Sequence, residues 1–247
     1  MKILVCITQA PDTTTKIAFT DNNTKFNTQG VAFILNPYDE WYALVKALEL
    51  KEAGVATAVH LVTVGAADVD ATIRKALALG GDEAYRIDAP ATDTYLIAKQ
   101  LASFAATQGY DLVLCGKESI DYNNASVGGM IAELLDMPYI ALASSLSVAG
   151  GTATLTAETE AGEATCACPL PLVVSCQKGM AEARIPNMKG IMAARTKPLK
   201  VIPADGSAPL TTIANYELPV PKTGVKMIDP ANMDELVSLL HNEAKVI

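Results

Sequence analysis

The first 140 residues alternate between two hydrophobic periods. Lys2–Thr8 is a short apolar run rich in β-branched residues, and Val31–Leu35 is a second; both read as strands. Asn36-Pro37 then predicts a helix start, because Asn caps and Pro suits the first helical position. Asp39 falls in the first turn, where a carboxylate meets the positive helix end. Trp41, Leu44, Val45 and Leu48 follow at i, i+3, i+4 and i+7, which is one helical face, and Gly54 is the expected stop.

The unit repeats. Ala58–Val64 predicts a strand, and Val69, Ile73, Ala76 and Leu77 mark a helix closed by Gly80-Gly81. Ala84–Ile87 is a short strand, and Ile97, Leu101, Phe104 and Ala105 mark a helix closed by Gly109. Asp111–Cys115 is apolar after its first residue, and Val127, Ile131, Leu134 and Leu135 mark a helix ended by Pro138. Strands alternating with helices predict an α/β fold with a doubly wound, mostly parallel sheet. Right-handed crossovers put the strand C-termini on one edge, where ligands bind.

After Tyr139 the texture changes. Ile140–Val148, Thr152–Glu158, Ala164–Cys168 and Leu172–Cys176 read as strands, with Ala149-Gly150-Gly151 as a hairpin turn. Lys178–Pro221 carries Met, Ile and Leu without a sustained period and is broken by six prolines from Pro186 to Pro221. A segment so apolar and irregular has no face of its own to bury; its Met and Ile content favours an arm lying on a partner over a disordered tail. A last helix over Met233–Glu243 presents Leu236, Leu239 and Leu240. The expected division is therefore 1–177 as an α/β domain and 178–247 as arm and terminal helix.

Composition narrows the function. Half the residues are hydrophobic but only 5% are aromatic, so small aliphatic side chains must fill the core. A net charge of −8 without a long basic run argues against a nucleic-acid binder. No apolar run approaches the roughly 18 residues that span a bilayer, and the opening MKILVCITQAPD turns polar too soon for a secretory leader. Five cysteines, mostly in apolar runs, fit reduced thiols and a cytoplasmic setting. Cys166 and Cys168 read as two residues on one face of a strand, since neither His60 nor His241 has ligand spacing with them.

No catalytic set emerges. The chain has no Gly-x-Ser-x-Gly elbow, no Walker loop and no His-Glu-x-x-His, and only two histidines. His60 lies mid-strand, as a core residue would, and His241 sits near the end of the last helix. The strongest chemical candidate is GKESIDYNNASVGG, from Gly116 to Gly129, which follows a buried strand and opens a helix. Asn123, Asn124 and Ser126 are potential caps, while Ala125, Gly128 and Gly129 are small enough to let a ligand approach. Free N–H groups at a helix N-terminus make a phosphate site. The turn after the first strand, Thr8-Gln9-Ala10-Pro11, has no glycine, so a Rossmann dinucleotide fold is the weaker reading.

Several segments, in order along nearly the whole chain, resemble the electron-transfer flavoprotein β-subunit family. They are ITQAPDTTTKI at the start, Asn36-Pro37-Tyr38-Asp39-Glu40, Thr72–Gly80, GKESIDYNNASVGG, Ile185–Ala194, and Thr223-Gly224-Val225-Lys226 with the final helix. The resemblance implies an adenine-nucleotide α-hydrolase-like α/β domain with an arm embracing a larger α subunit. That α subunit would hold the redox FAD. The β subunit would bind AMP, or a second FAD in electron-bifurcating members. It would be a carrier subunit, not an enzyme, receiving electrons from acyl-CoA dehydrogenases or similar flavin dehydrogenases. By position it places nucleotide contacts at Cys6, Asn36, Val64, Asp121, Asn123, Asn124, Ala125, Ser126, Val127 and Gly128. Met180 stands where the family carries a Leu on a partner-recognition loop.

Two residues depart from the family's pattern: Asn123 stands where an acid is frequent, and Ser126 where Gln is frequent. Both bear on nucleotide affinity and identity. The Ala-x-Val-Gly spacing and the QAPDT opening lie closer to the bifurcating branch. A nucleotide-binding sensor with the same core is the alternative; such a module should end near residue 150, whereas this chain continues for about a hundred residues.

Overall fold

The computed structural model describes residues 1–222 and 224–247, so Thr223 of the Thr223–Lys226 segment lies outside the described residues. The chain begins with β1 (Lys2–Cys6) and makes four short strands: β2 (Gln9–Pro11), β3 (Phe19–Thr20), β4 (Lys25–Phe26) and β5 (Phe33–Leu35). Then follow α1 (Asp39–Glu52), β6 (Ala58–Val64), α2 (Asp70–Leu79), β7 (Glu83–Asp88), α3 (Thr94–Ala106), β8 (Leu112–Gly116) and α4 (Val127–Leu135). β9 (Tyr139–Ala149), β10 (Thr152–Thr159), β11 (Gly162–Pro169) and β12 (Leu172–Cys176) come next, before α5 (Met188–Ala194), β13 (Leu199–Pro203) and α6 (Met233–Ser238).

Nine strands form one sheet in the order β11-β10-β9-β12-β8-β1-β6-β7-β13. Neighbours from β9 to β13 pair in parallel, and β10 and β11 extend the sheet antiparallel. The doubly wound expectation holds: α1 and α2 pack on one core, α3 and α4 on the other. Strand alternation feeds both cores, with Ile3 and Val5 of β1 facing one and Leu4 and Cys6 the other. The order reverses at β1, between β6 and β8, which is the switch point where such sheets bind ligands.

The predicted hairpin is present, with Gly150 and Gly151 both at positive φ (56° and 79°) between β9 and β10. Cys166 and Cys168 face Leu155 and Ala153 across the ladder on one face of β11, and no cluster of metal-ligating side chains occurs among the described residues. His60 is buried, with Nδ1 3.0 Å from the Tyr110 hydroxyl, and burial holds its pKa down. No helix of the described residues is long and apolar enough to cross a membrane.

Three sequence expectations need correction. Val31–Leu35 does not join the main sheet: only Phe33–Leu35 is a strand, paired antiparallel with β2. The predicted last helix covers Met233–Ser238 and then widens into a π-helical stretch over Leu239–Ala244. The boundary after Gln177 falls inside the folded unit, because β13 lies in full parallel register on β7, from Leu199 opposite Ala84 to Pro203 opposite Asp88. Arg74 ties this return segment to α2 by donating to the Ala194 and Lys197 carbonyls (2.7 and 2.6 Å). Gly190 permits the docking of α5, since a Cβ there would sit 2.3 Å from the Ala78 carbonyl oxygen. A five-residue edge strand preceded by a seven-residue helix is too short to show a sustained period, which is why the pattern is irregular.

Met180 is also corrected. It is 1% exposed and belongs to the hydrophobic core, so it packs inside the chain and does not stand free on a partner-recognition loop. Its backbone closes a turn on Gln177 (3.1 Å), which points the side chain inward. Met180→Ala is expected to cost about 2–5 kcal/mol of stability, as buried Met-to-Ala truncations do. Thermal denaturation measures this; an unchanged midpoint would return Met180 to a surface role.

Candidate functional site

A cavity of about 430 Å³ opens at the C-terminal ends of β1, β6, β7 and β8. That volume lies within the roughly 300–1,000 Å³ of small-ligand sites. Cys6, Val64 and Cys115 bring the strand ends to its floor, and the loop from Lys117 to Val127 forms one wall. The segments 7–9, 65–69 and 89–94 form the remaining walls near the sheet.

Four helices start at this edge, but their N-termini differ. Asp93 caps α3 by accepting from Leu96 N (2.9 Å). It also accepts from the Thr211 hydroxyl and from Leu210 and Thr211 N (3.3 and 3.1 Å), and these hydrogen bonds, the hydroxyl's first, hold its pKa low. The α4 N-terminus is left open: Ser126 is the N-cap residue but makes no side-chain cap hydrogen bond. The expected caps are thus absent. Asn124 instead donates to the Thr94 hydroxyl (2.9 Å), pulling the loop toward α3. Asn123 and Ala125 take positive φ (52° and 49°) on either side of Asn124, a backbone pattern that turns successive N–H groups into an anion-binding concavity. Bent loop and open helix end together suit a phosphate.

Of the expected contacts, the cavity gathers Cys6, Val64, Asp121, Asn124, Ala125, Ser126 and Val127. Asn36, Asn123 and Gly128 do not line it. Asn36 is fully buried, its amide donating to the Glu118 carbonyl (3.0 Å) and accepting from Ile120 N (3.1 Å). It does not cap α1 either: the helix starts at Asp39, and Tyr38 precedes it at φ 66°. Asn36 instead locks the start of the β8–α4 loop to the α1 entry. Gly128 makes room for the protein, not for a ligand, because a Cβ there would sit 3.2 Å from the Tyr139 ring.

Glu40 is a wall residue that the sequence reading passed over, although it belongs to the quoted Asn-Pro-Tyr-Asp-Glu segment. It is 6% exposed, accepts a hydrogen bond from Thr8 N, and has its pKa raised by burial to about 8. Gly116 admits it, since a Cβ there would sit 2.7 Å from the Glu40 Cγ and 2.9 Å from its N. Cys6 is held protonated, its pKa pushed well up by a hydrogen bond with Cys115 and by burial. Lys117, a cation of the wall, pairs with Glu118 (3.1 Å). The cavity thus offers backbone donors, one lysine and several acids, a set suited to holding a nucleotide and lacking an activated nucleophile.

The family described as "Electron transfer flavoprotein domain" matches residues 23–207. "Electron transfer flavoprotein subunit beta" of Bacillus subtilis is 36% identical over 262 aligned positions covering 100% of both chains. The protein of the same description from Syntrophomonas wolfei is 34% identical over 250, covering 100% of this chain and 98% of that one. "Electron transfer flavoprotein subunit beta, mitochondrial" of Arabidopsis thaliana is 32% identical over 255, covering 100% of both.

Proposed function

The chain belongs to the electron-transfer flavoprotein β-subunit family, and from that premise we propose that it is the nucleotide-binding half of a heterodimeric electron carrier. It works with an α subunit that holds the redox FAD and shuttles electrons between a flavin dehydrogenase, such as an acyl-CoA dehydrogenase, and a downstream acceptor. The FAD supplies the redox chemistry; the residues here bind and orient an adenine nucleotide. The observation that carries this reading is the open N-terminus of α4 facing the cavity behind the Asn123–Ala125 bend. Its N–H groups take the phosphate, and the Cys6, Val64 and Cys115 strand ends give an apolar floor for the rest of the nucleotide. The occupant is AMP in a simple carrier or the ADP moiety of a second FAD in a bifurcating one.

Alignment along the whole chain favours the carrier over a stand-alone nucleotide sensor, because the relatives match through the C-terminal segment as well as the core. The test is direct. Mass spectrometry and stoichiometry of nucleotides released from the denatured, co-purified heterodimer should give either one FAD plus one AMP or two FAD. One FAD alone would mean that the cavity holds no nucleotide.

A further inference from the structure

Resting on that reading, we propose that Glu40 is the proton-binding group of the cavity: the nucleotide enters against a carboxyl that carries its proton, and binding fails when that carboxyl ionises. Four observations meet here. Glu40 lines the cavity, is almost wholly withdrawn from solvent, and has no cation within ion-pair distance among the described residues. The Thr8 N–H donates to it, and the Thr8 hydroxyl and the Asn36 amide also lie against it; these contacts favour the anion, and burial outweighs them. The groups facing it are Cys6 at the end of β1, Asn36 at the α1 entry and Asp121 in the phosphate loop, none of which brings positive charge. Gly116 of β8, cleared of a side chain, presses against its Cγ and backbone.

A nucleotide phosphate is a dianion near neutral pH. Closing it into a cavity that already holds a buried carboxylate puts like charges together where water no longer screens them. The protonated acid removes that repulsion and turns a pure acceptor into a donor for a ligand oxygen. Ligand entry strips more water from Glu40 and strengthens its hold on the proton, so binding and protonation favour each other. Burial has already brought the Glu40 pKa to about 8, which places the coupling between neutral and mildly alkaline pH. In this window the nucleotide phosphate is already fully ionised, and Cys6 still carries its proton.

The experiment uses the full heterodimer, stripped of the nucleotide in this cavity and checked by released-nucleotide analysis, with AMP as the probe. Calorimetric titrations at pH 7 and pH 9.5, each in two buffers of different ionisation enthalpy, read affinity and proton uptake. The expected result is AMP affinity at least tenfold weaker at pH 9.5, with net proton uptake on binding near pH 8–9. In Glu40→Gln the slope and the uptake should both vanish. Tight binding of equal strength at both pH values in the natural protein overturns the proposal whether or not the variant folds. An unchanged slope in Glu40→Gln assigns the proton elsewhere and also overturns it. Absence of AMP binding at every pH would instead fall on the nucleotide reading itself, unless released-nucleotide analysis shows FAD, in which case the ADP moiety is the probe.

Discussion

Val127→Glu is expected to empty the cavity while leaving the partner's redox flavin in place. Val127 is the first residue of α4 and lines the cavity beside the open N–H groups. A carboxylate at that position does two things. It repels the phosphate, at about 4 kcal/mol for unit charges 4 Å apart at an effective dielectric near 20. It also occupies the positive helix end that the phosphate would use, since an acid in the first turn is itself favourable there. Together these correspond to affinity lost on the order of a thousandfold. Because the added acid suits a helix start, the fold should survive and the effect should be confined to the site.

The measurement is nucleotide stoichiometry per heterodimer before and after the change. Two FAD falling to one identifies a bifurcating carrier, and one FAD plus AMP with only AMP lost identifies a simple one. If neither nucleotide changes, the loop from Asp121 to Val127 is structural and the site assignment fails. Glu40 gives an independent check through stability. A buried carboxyl with its pKa raised to about 8 binds its proton more tightly folded than unfolded. Its contribution is therefore present at low pH and is lost as pH rises from the unfolded value, near 4.3, through about 8. Relative to the natural chain, Glu40→Gln should gain melting temperature as pH rises across that window; a constant offset would show that Glu40 does not titrate there.

What was legible in the sequence followed from repetition. Each strand–helix unit carries a period long enough to recognise, and the first three end in a glycine at positive φ, Gly54, Gly80 and Gly109. The loop between β8 and α4 was legible as a strand–helix connection because it joins an apolar strand to a periodic helix. What escaped depends on distant contacts. Asn36 looks like a cap beside Pro37, yet its amide bridges to residues more than eighty positions away. Gly128 looks like space for a ligand, yet that space is filled by Tyr139. Glu40 looks like an ordinary first-turn acid until the sheet folds around it. Met180 and β13 were misplaced for the same reason, since burial is set by partners that local pattern does not contain.

Removing residues 218–247 is expected to abolish association with the α subunit while leaving the α/β unit and its cavity intact. Up to Tyr216 the return segment is attached to the body: Asp205 accepts from Ser103 (2.6 Å), and Tyr216 stacks on Phe19 with centroids 4.9 Å apart. Beyond Glu217, every hydrogen bond among the described residues stays within the segment itself. Leu218, Val220, Val225 and Met227 are 60–90% exposed there, and Met233 and Val237 add to them on α6. Six such side chains, at about 1.5–3 kcal/mol each on burial, offer on the order of 10 kcal/mol before the costs of association. Among the described residues no face of the α/β unit takes up that surface, which points to another chain as its cover. A chain ending at Glu217 should therefore elute alone when co-expressed with the α subunit, with an unchanged circular dichroism spectrum. The complete chain, free of its partner, should be cut by dilute protease between Leu218 and Asn232, and protected there in the heterodimer. A truncated chain that still co-elutes one-to-one with the α subunit would place the interface on the α/β body and leave these apolar residues without a role.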